Sequence, residues 1–209
     1  MLLSMKSRKF SSAKRNVSGE LLRQILLDAV RTKQALLTEP LLKSTLTAAG
    51  KITEAFRRGK KIILFGNGGS ATDSLHIAGE FVGRFGHHIK RSALPALSLS
   101  ENPAALTAIA NDFGYLYSFA RQLEGLASPG DVAIGISTTG NSPNVLEAIK
   151  TARKKKVYTI GLTGEGGGYL KRLVHLCLCV PSENTQRIQE SHITLGHAIC
   201  ELVEEALYG

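Results

Sequence analysis

A chain of 209 residues with 43% hydrophobic but only 6% aromatic side chains and 21 glycines carries enough apolar material for one sizeable α/β core, and no Pro/Gly/Ser-rich linker divides it. No apolar stretch approaches membrane-spanning length, and the three cysteines, Cys177, Cys179 and Cys200, read as reduced core residues of a cytoplasmic protein, neither ligands nor a disulfide framework. The formal charge of +9 is weak evidence for nucleic acid, because Lys6, Arg8, Lys9, Lys14 and Arg15 all precede the first acid, Glu20, and without these five the excess is only +4.

Residues 1–18 lack the continuous apolar core of a secretory signal and are expected to form a basic, disordered tail. A single domain is expected over 19–209. Apolar residues recur at helical spacing over 20–37 and 41–58, with Pro40 marking the break, so two amphipathic helices lead the chain. An α/β core follows over 61–181, with strands at 61–65, 96–99, 132–136, 157–162 and 176–180. Between them the pattern predicts helices running to about Phe85, over 103–109 and 115–126, from Pro143 toward Lys155, and over 169–173. A long helix over 185–207 closes the chain. Strands alternating with helices of this length predict a five-stranded parallel sheet covered on both faces, with ligands at the carboxyl ends of its strands.

Two turns at those ends hold the chemistry. Ser137-Thr-Thr-Gly-Asn-Ser-Pro143 gathers four hydroxyls around a glycine turn, with Ser142 suited to cap the following helix and Pro143 to open it. Hydroxyls, backbone N–H groups and the positive helix end would converge on a phosphate, although an ordinary strand-to-helix turn favours the same residue types. The other turn, Gly66-Asn-Gly-Gly-Ser70, fits the loose pattern of a dinucleotide loop. It lacks the acidic residue ~20 positions later that would take a ribose hydroxyl, which argues against a nicotinamide cofactor.

Beyond that turn His76 and Glu80 sit one helical turn apart, with Asp73 a turn earlier, and can present an imidazole and a carboxylate to one point. Such a pair serves as half of a zinc site or as a plain surface pair. On the last helix Gln189, Ile193 and His197 share a stripe. Gln189 and His197 are ~12 Å apart along that axis, so they reach one ion only by leaning together, or else divide between metal and substrate. His87, His88, His175 and His192 have no comparable partners and read as solvent-facing or structural.

Taken together, Phe65-Gly-Asn-Gly-Gly-Ser70, Asp73-x-x-His76-x-x-x-Glu80, Ala110-Asn-Asp-Phe-Gly-Tyr115, Ser137-Thr-Thr-Gly-Asn-Ser142 and Arg187-Ile-Gln-Glu190 with His197 resemble the sugar isomerase (SIS) domain family, and within it the phosphoheptose isomerases. The resemblance runs from about Leu21 to the C-terminus. It implies a three-layer, doubly wound, flavodoxin-like α/β sandwich, a homotetramer with active sites at subunit interfaces, and conversion of sedoheptulose 7-phosphate to D-glycero-D-manno-heptose 7-phosphate, a precursor for bacterial surface polysaccharide. It further implies that Asn67, Gly68, Gly69, Asn111, Asp112 and Gln189 contact substrate. Ser137, Thr138, Thr139 and Ser142 would hold its phosphate, and His76, Glu80, Gln189 and His197 one Zn2+ per subunit. Glu80 and His197 would form the acid–base pair, with Glu80 also touching substrate. Thr139 stands where the family pattern has Ser, which keeps the hydroxyl. The alternative is a non-catalytic member that binds a sugar phosphate or the replication initiator; the relative that assists the initiator lacks the Glu and the last-helix His that this chain carries.

Overall fold

The computed structural model describes residues 18–86 and 89–209. The expected basic tail, apart from Ser18, and His87 and His88 lie outside the described residues. Helix α1 (Gly19–Gln34) begins where the Ser18 hydroxyl accepts the Leu21 N–H, and α2 (Glu39–Arg57) opens with Pro40 in its first turn, where a missing N–H costs nothing. The core then alternates β1 (Ile62–Gly66), α3 (Gly69–Val82), β2 (Ala96–Ser98), α4 (Pro103–Phe113), α5 (Ala120–Leu126), β3 (Val132–Ile136), α6 (Pro143–Lys154), β4 (Tyr158–Thr163), α7 (Gly168–Leu173) and β5 (Leu176–Cys179). Helix α8 (Thr185–Tyr208) ends the chain.

All four strand pairings are parallel, in the order β2-β1-β3-β4-β5. This is the doubly wound order whose topological switch lies between β1 and β3. The chain leaves β1 toward β2 and leaves β3 toward β4, so the loops after these two neighbouring strands part and open a crevice. Gly66 pairs with Ile136 in the register, so Asn67 and Ser137 start their loops side by side.

Alternation along each strand fills both faces. Ile62 and Leu64 of β1 join Ile52 and Phe56 of α2, Phe81 of α3 and Ile199 of α8 in one buried cluster, while Ile63 and Phe65 join Phe119, Leu123 and Ile149 on the other side. Each such side chain contributes roughly 1.5–3 kcal/mol when fully buried, which is why both layers hold to the sheet.

Helix α1 ends at Gln34, short of the expected 37, and α4 runs on to Phe113, past the expected 109. Two further boundaries differ from the sequence pattern for a tertiary reason. Helix α3 stops at Val82 instead of running to about Phe85. There the buried Glu204 carboxylate accepts the Phe85 and Gly86 N–H groups, while Arg91 donates to the carbonyls of Glu80 and Phe81 and to Glu204 at 2.6 Å. The single helix expected over 115–126 is instead a 3-10 turn at 115–117 followed by α5. The break buries Ser118 and Phe119, whose ring meets Phe65 at 5.6 Å.

Candidate active site

The hydroxyl loop sits directly on the end of β3. Gly140 N–H donates to Ser137 carbonyl at 3.0 Å, closing the turn, and Gly140 adopts a φ of 67° where its backbone lies too close to the Gly167 carbonyl for any side chain. Thr138 carbonyl accepts the Gly164 N–H at 2.9 Å, so the loop after β4 braces the first. Thr139 Oγ1 accepts the Asn141 N–H. Ser142 occupies the capping position of α6 and Pro143 its first turn, but the Ser142 hydroxyl makes no capping bond. It lies 2.9 Å from Ser137 Oγ instead; Pro143 has no N–H and Val145 N–H donates to Asn144 Oδ1 at 3.0 Å, so in the first turn of α6 the Asn144 N–H is the one left without a side-chain cap. An open backbone N–H at a helix start, with two hydroxyls beside it, is suited to an anion.

Across the crevice Asn67 is locked by a network that sequence reasoning did not single out. Its amide pairs both ways with the buried Asn144, at 2.9 Å in each direction, Asn144 also donates to Ser118, and the Tyr115 hydroxyl donates to Asn67 at 2.8 Å. Asn144 stands inside the first turn of α6, a place where Asn has no intrinsic advantage, and its burial is the only sign that a partner requires it. Gly68 and Gly69 lead from Asn67 into α3 and are exposed. Asn111 and Asp112 stand exposed near the end of α4, hydrogen-bonded to each other at 2.8 Å.

His76, Glu80 and His197 come together although 121 residues separate the two histidines. His76 Nε2 lies 3.1 Å from Glu80 Oε1 and 3.0 Å from His197 Nε2, and one ligand atom from each of the three falls within 4.8 Å of the other two. Helices α3 and α8 make this possible by running side by side in the same sense. Gly69 meets Gln189 near their starts and Ile77 meets Gly196 farther along. Two imidazole nitrogens and one carboxylate oxygen, partly open to solvent, form a donor set that fits a divalent metal of zinc type with room for another ligand.

Gln189 packs its amide against Gly69, about two turns from this cluster along α8. Asp73, one turn before His76, has a buried Oδ2 without a partner; burial raises its carboxyl to about 6, and the nearby His76 opposes the rise. His175 stacks on Tyr158 at 5.0 Å, away from these loops, and His192 is fully buried. Cys200 is fully buried as expected, whereas Cys177 and Cys179 are only half-buried.

The SIS domain family model matches residues 27–164. A phosphoheptose isomerase of Roseiflexus sp. (strain RS-1) is 54% identical over 160 residues, covering 77% of this chain and 80% of its own. That of Aneurinibacillus thermoaerophilus is 49% identical over 181 residues, covering 86% and 90%. The solved phosphoheptose isomerase GmhA from Neisseria gonorrhoeae superposes with a TM-score of 0.83 at 38% identity, covering 89% of this chain and 98% of that one. Sequence similarity of this depth over nearly the whole of both chains, on the same doubly wound sheet, places the chain in the SIS domain family, among its phosphoheptose isomerases.

Proposed function

We propose that this chain is an aldose–ketose isomerase that converts sedoheptulose 7-phosphate to D-glycero-D-manno-heptose 7-phosphate, in the cytoplasm, as a step toward heptose for bacterial surface polysaccharide. The observation that carries this reading is the meeting of Glu80 and His197, a carboxylate and an imidazole brought by α3 and α8 to one point.

The reaction removes a proton from C1 of the open-chain ketose and returns one to C2, through an enediolate. Glu80 is the base for the C1 proton, and His197 moves protons at the oxygens or C2. His76 holds the approach between them, 3.0–3.1 Å from both. Zn2+ held by His76, Glu80 and His197, with Gln189 as a further ligand, would supply a Lewis acid for the developing oxyanion. Ser137, Thr138, Thr139, Ser142 and the start of α6 grip the phosphate, while Asn67, Gly68, Gly69, Asn111, Asp112 and Gln189 orient the sugar. Grip remote from the reacting carbons turns binding energy into alignment.

Within one chain Glu80 lies about 16 Å along α3 from Gly69, so the acid–base pair and the phosphate loop form separate patches. A homotetramer whose sites lie at subunit interfaces brings the pair of one subunit to the loop of another and supplies Gln189 to the cluster. The test is incubation with sedoheptulose 7-phosphate, following aldose formation with and without a chelator. Glu80→Gln should lower turnover at least about 10²-fold, and chelation should abolish activity that zinc restores. Undiminished turnover by Glu80→Gln removes the acid–base assignment.

A further inference from the structure

We propose that Cys177 and Cys179 form a peroxide-sensitive dithiol whose closure to a disulfide loosens the phosphate loop through α7. The two residues are spaced two apart on β5, so their side chains share one face, and their sulfur atoms lie 3.7 Å apart. Both are half-buried and free, whereas Cys200 is fully buried. The hydrogen-bonded contact with Cys177, opposed by burial and aided by Lys171, pulls the Cys179 thiol down to about 7, and the same contact pushes Cys177 up. Cys179 is therefore the more acidic of the two thiols.

Closure costs a backbone movement. Two residues of extended strand span about 6.6 Å, near the upper limit of about 6.8 Å for Cα atoms joined by a disulfide, and the sulfurs must approach to about 2.0 Å. Among the described residues β5 is an edge strand bonded to β4 alone, so it can bend. Cys177 packs against the buried cluster that holds Leu170 of α7 and Val174 just beyond it. That helix grips the phosphate loop: Leu170 N–H donates to Gly140 carbonyl and Tyr169 N–H to Asn141 Oδ1, each at 2.9 Å. Bending β5 thus displaces the brace of the hydroxyl loop.

The chemistry balances with a peroxide as oxidant. Cys179 thiolate attacks the peroxide, forming an S–O bond and breaking O–O, and the released oxygen leaves as water or alcohol. Cys177 then attacks the sulfenic sulfur, forming S–S and breaking S–O, and its proton leaves with the second oxygen as water. Two electrons pass from the sulfurs to the peroxide. The strain of the closed form makes it easily reduced, as a reversible device requires.

The effect on the loop rests on the phosphate assignment proposed above; the thiol chemistry does not. Reduced, full-length, zinc-loaded protein is treated with hydrogen peroxide, digested and weighed, and its affinity for inorganic phosphate is followed by thermal shift. The peptide holding both cysteines should lose the mass of two hydrogens and recover it with dithiothreitol. Phosphate affinity should fall about tenfold in the wild type and stay unchanged in Cys179→Ser, with KM for sedoheptulose 7-phosphate rising in parallel. Oxygen addition without a disulfide, or a disulfide that leaves phosphate affinity intact, overturns the proposal. If the reduced protein binds no phosphate, the loop assignment and the coupling fall together, while the mass result still decides the thiol chemistry.

Discussion

Ser142 shows how one side chain's partner decides what a helix start can bind. By meeting Ser137 instead of the α6 backbone, its hydroxyl leaves the Asn144 N–H for a ligand and orients a second hydroxyl beside it. Replacing Ser137 and Thr138 by Ala and Val should therefore lower kcat/KM for sedoheptulose 7-phosphate about 10²- to 10⁴-fold, through both KM and kcat, since hydrogen bonds to a charged group are each worth about 1.5–3 kcal/mol. Steady-state kinetics checks it, and unchanged constants remove the cradle assignment. His192 acts on stability instead. Burial lowers its imidazole to about 4, against the raising influence of the Thr163 carbonyl, and its folded value is thus below the unfolded one. The unfolded chain takes up the proton first as pH falls, so the contribution is full above about 6.5 and is lost progressively down to about 4, by up to ~3 kcal/mol. Urea midpoints measured across that window should fall with pH in the wild type and flatten in His192→Gln.

At the scale of elements, the alignment of α3 with α8 sets the spacing of His76 and His197. A methyl added at Gly196 would stand 2.6 Å from Ile77 Cδ1, the movable end of a side chain, so Gly196→Ala should cost about 1–3 kcal/mol while the fold persists. Its larger effect should be catalytic. Spreading the two helices by a fraction of an ångström separates the acid from the base, and a misplacement of about 1 Å costs on the order of 10²-fold in rate. Comparing melting temperature with kcat for Gly196→Ala, and again after adding Ile77→Ala to make room, should show activity recovering in the double variant. A kcat that follows stability alone would show that the helix spacing has no special role.

At the scale of the molecule, α1 is held to α8 by contacts such as Arg187 donating to the Ile25 carbonyl, yet Leu21, Leu22, Leu26 and Val30 remain 50–58% exposed. Four large apolar side chains left outward along one helix are a liability for a free monomer and suit the proposed tetramer. Leu22→Glu combined with Leu26→Glu should dissociate the assembly, read by light scattering on a sizing column, and lower turnover with it, because in the proposed tetramer each site draws on two subunits. Tetramers that survive the substitutions would place the interface elsewhere.

Period and punctuation in the sequence were enough for the five strands, the long helices and the two loops at the switch point, because burial on a sheet face or a helix stripe imposes a repeat that needs no knowledge of partners. The hydroxyl loop and the His76–Glu80 pair were legible for the same reason, being local: one turn of chain, one turn of helix. What only the folded molecule decided depends on contacts between distant segments. Glu204 and Arg91 stop α3 at Val82, Ser118 and Phe119 break a helix to fill the core, Asn144 locks Asn67, and Gln189 settles against Gly69 while His197 goes to His76. A hydrogen bond across 77 or 121 residues leaves no period in the chain, since its geometry exists only after two elements have packed.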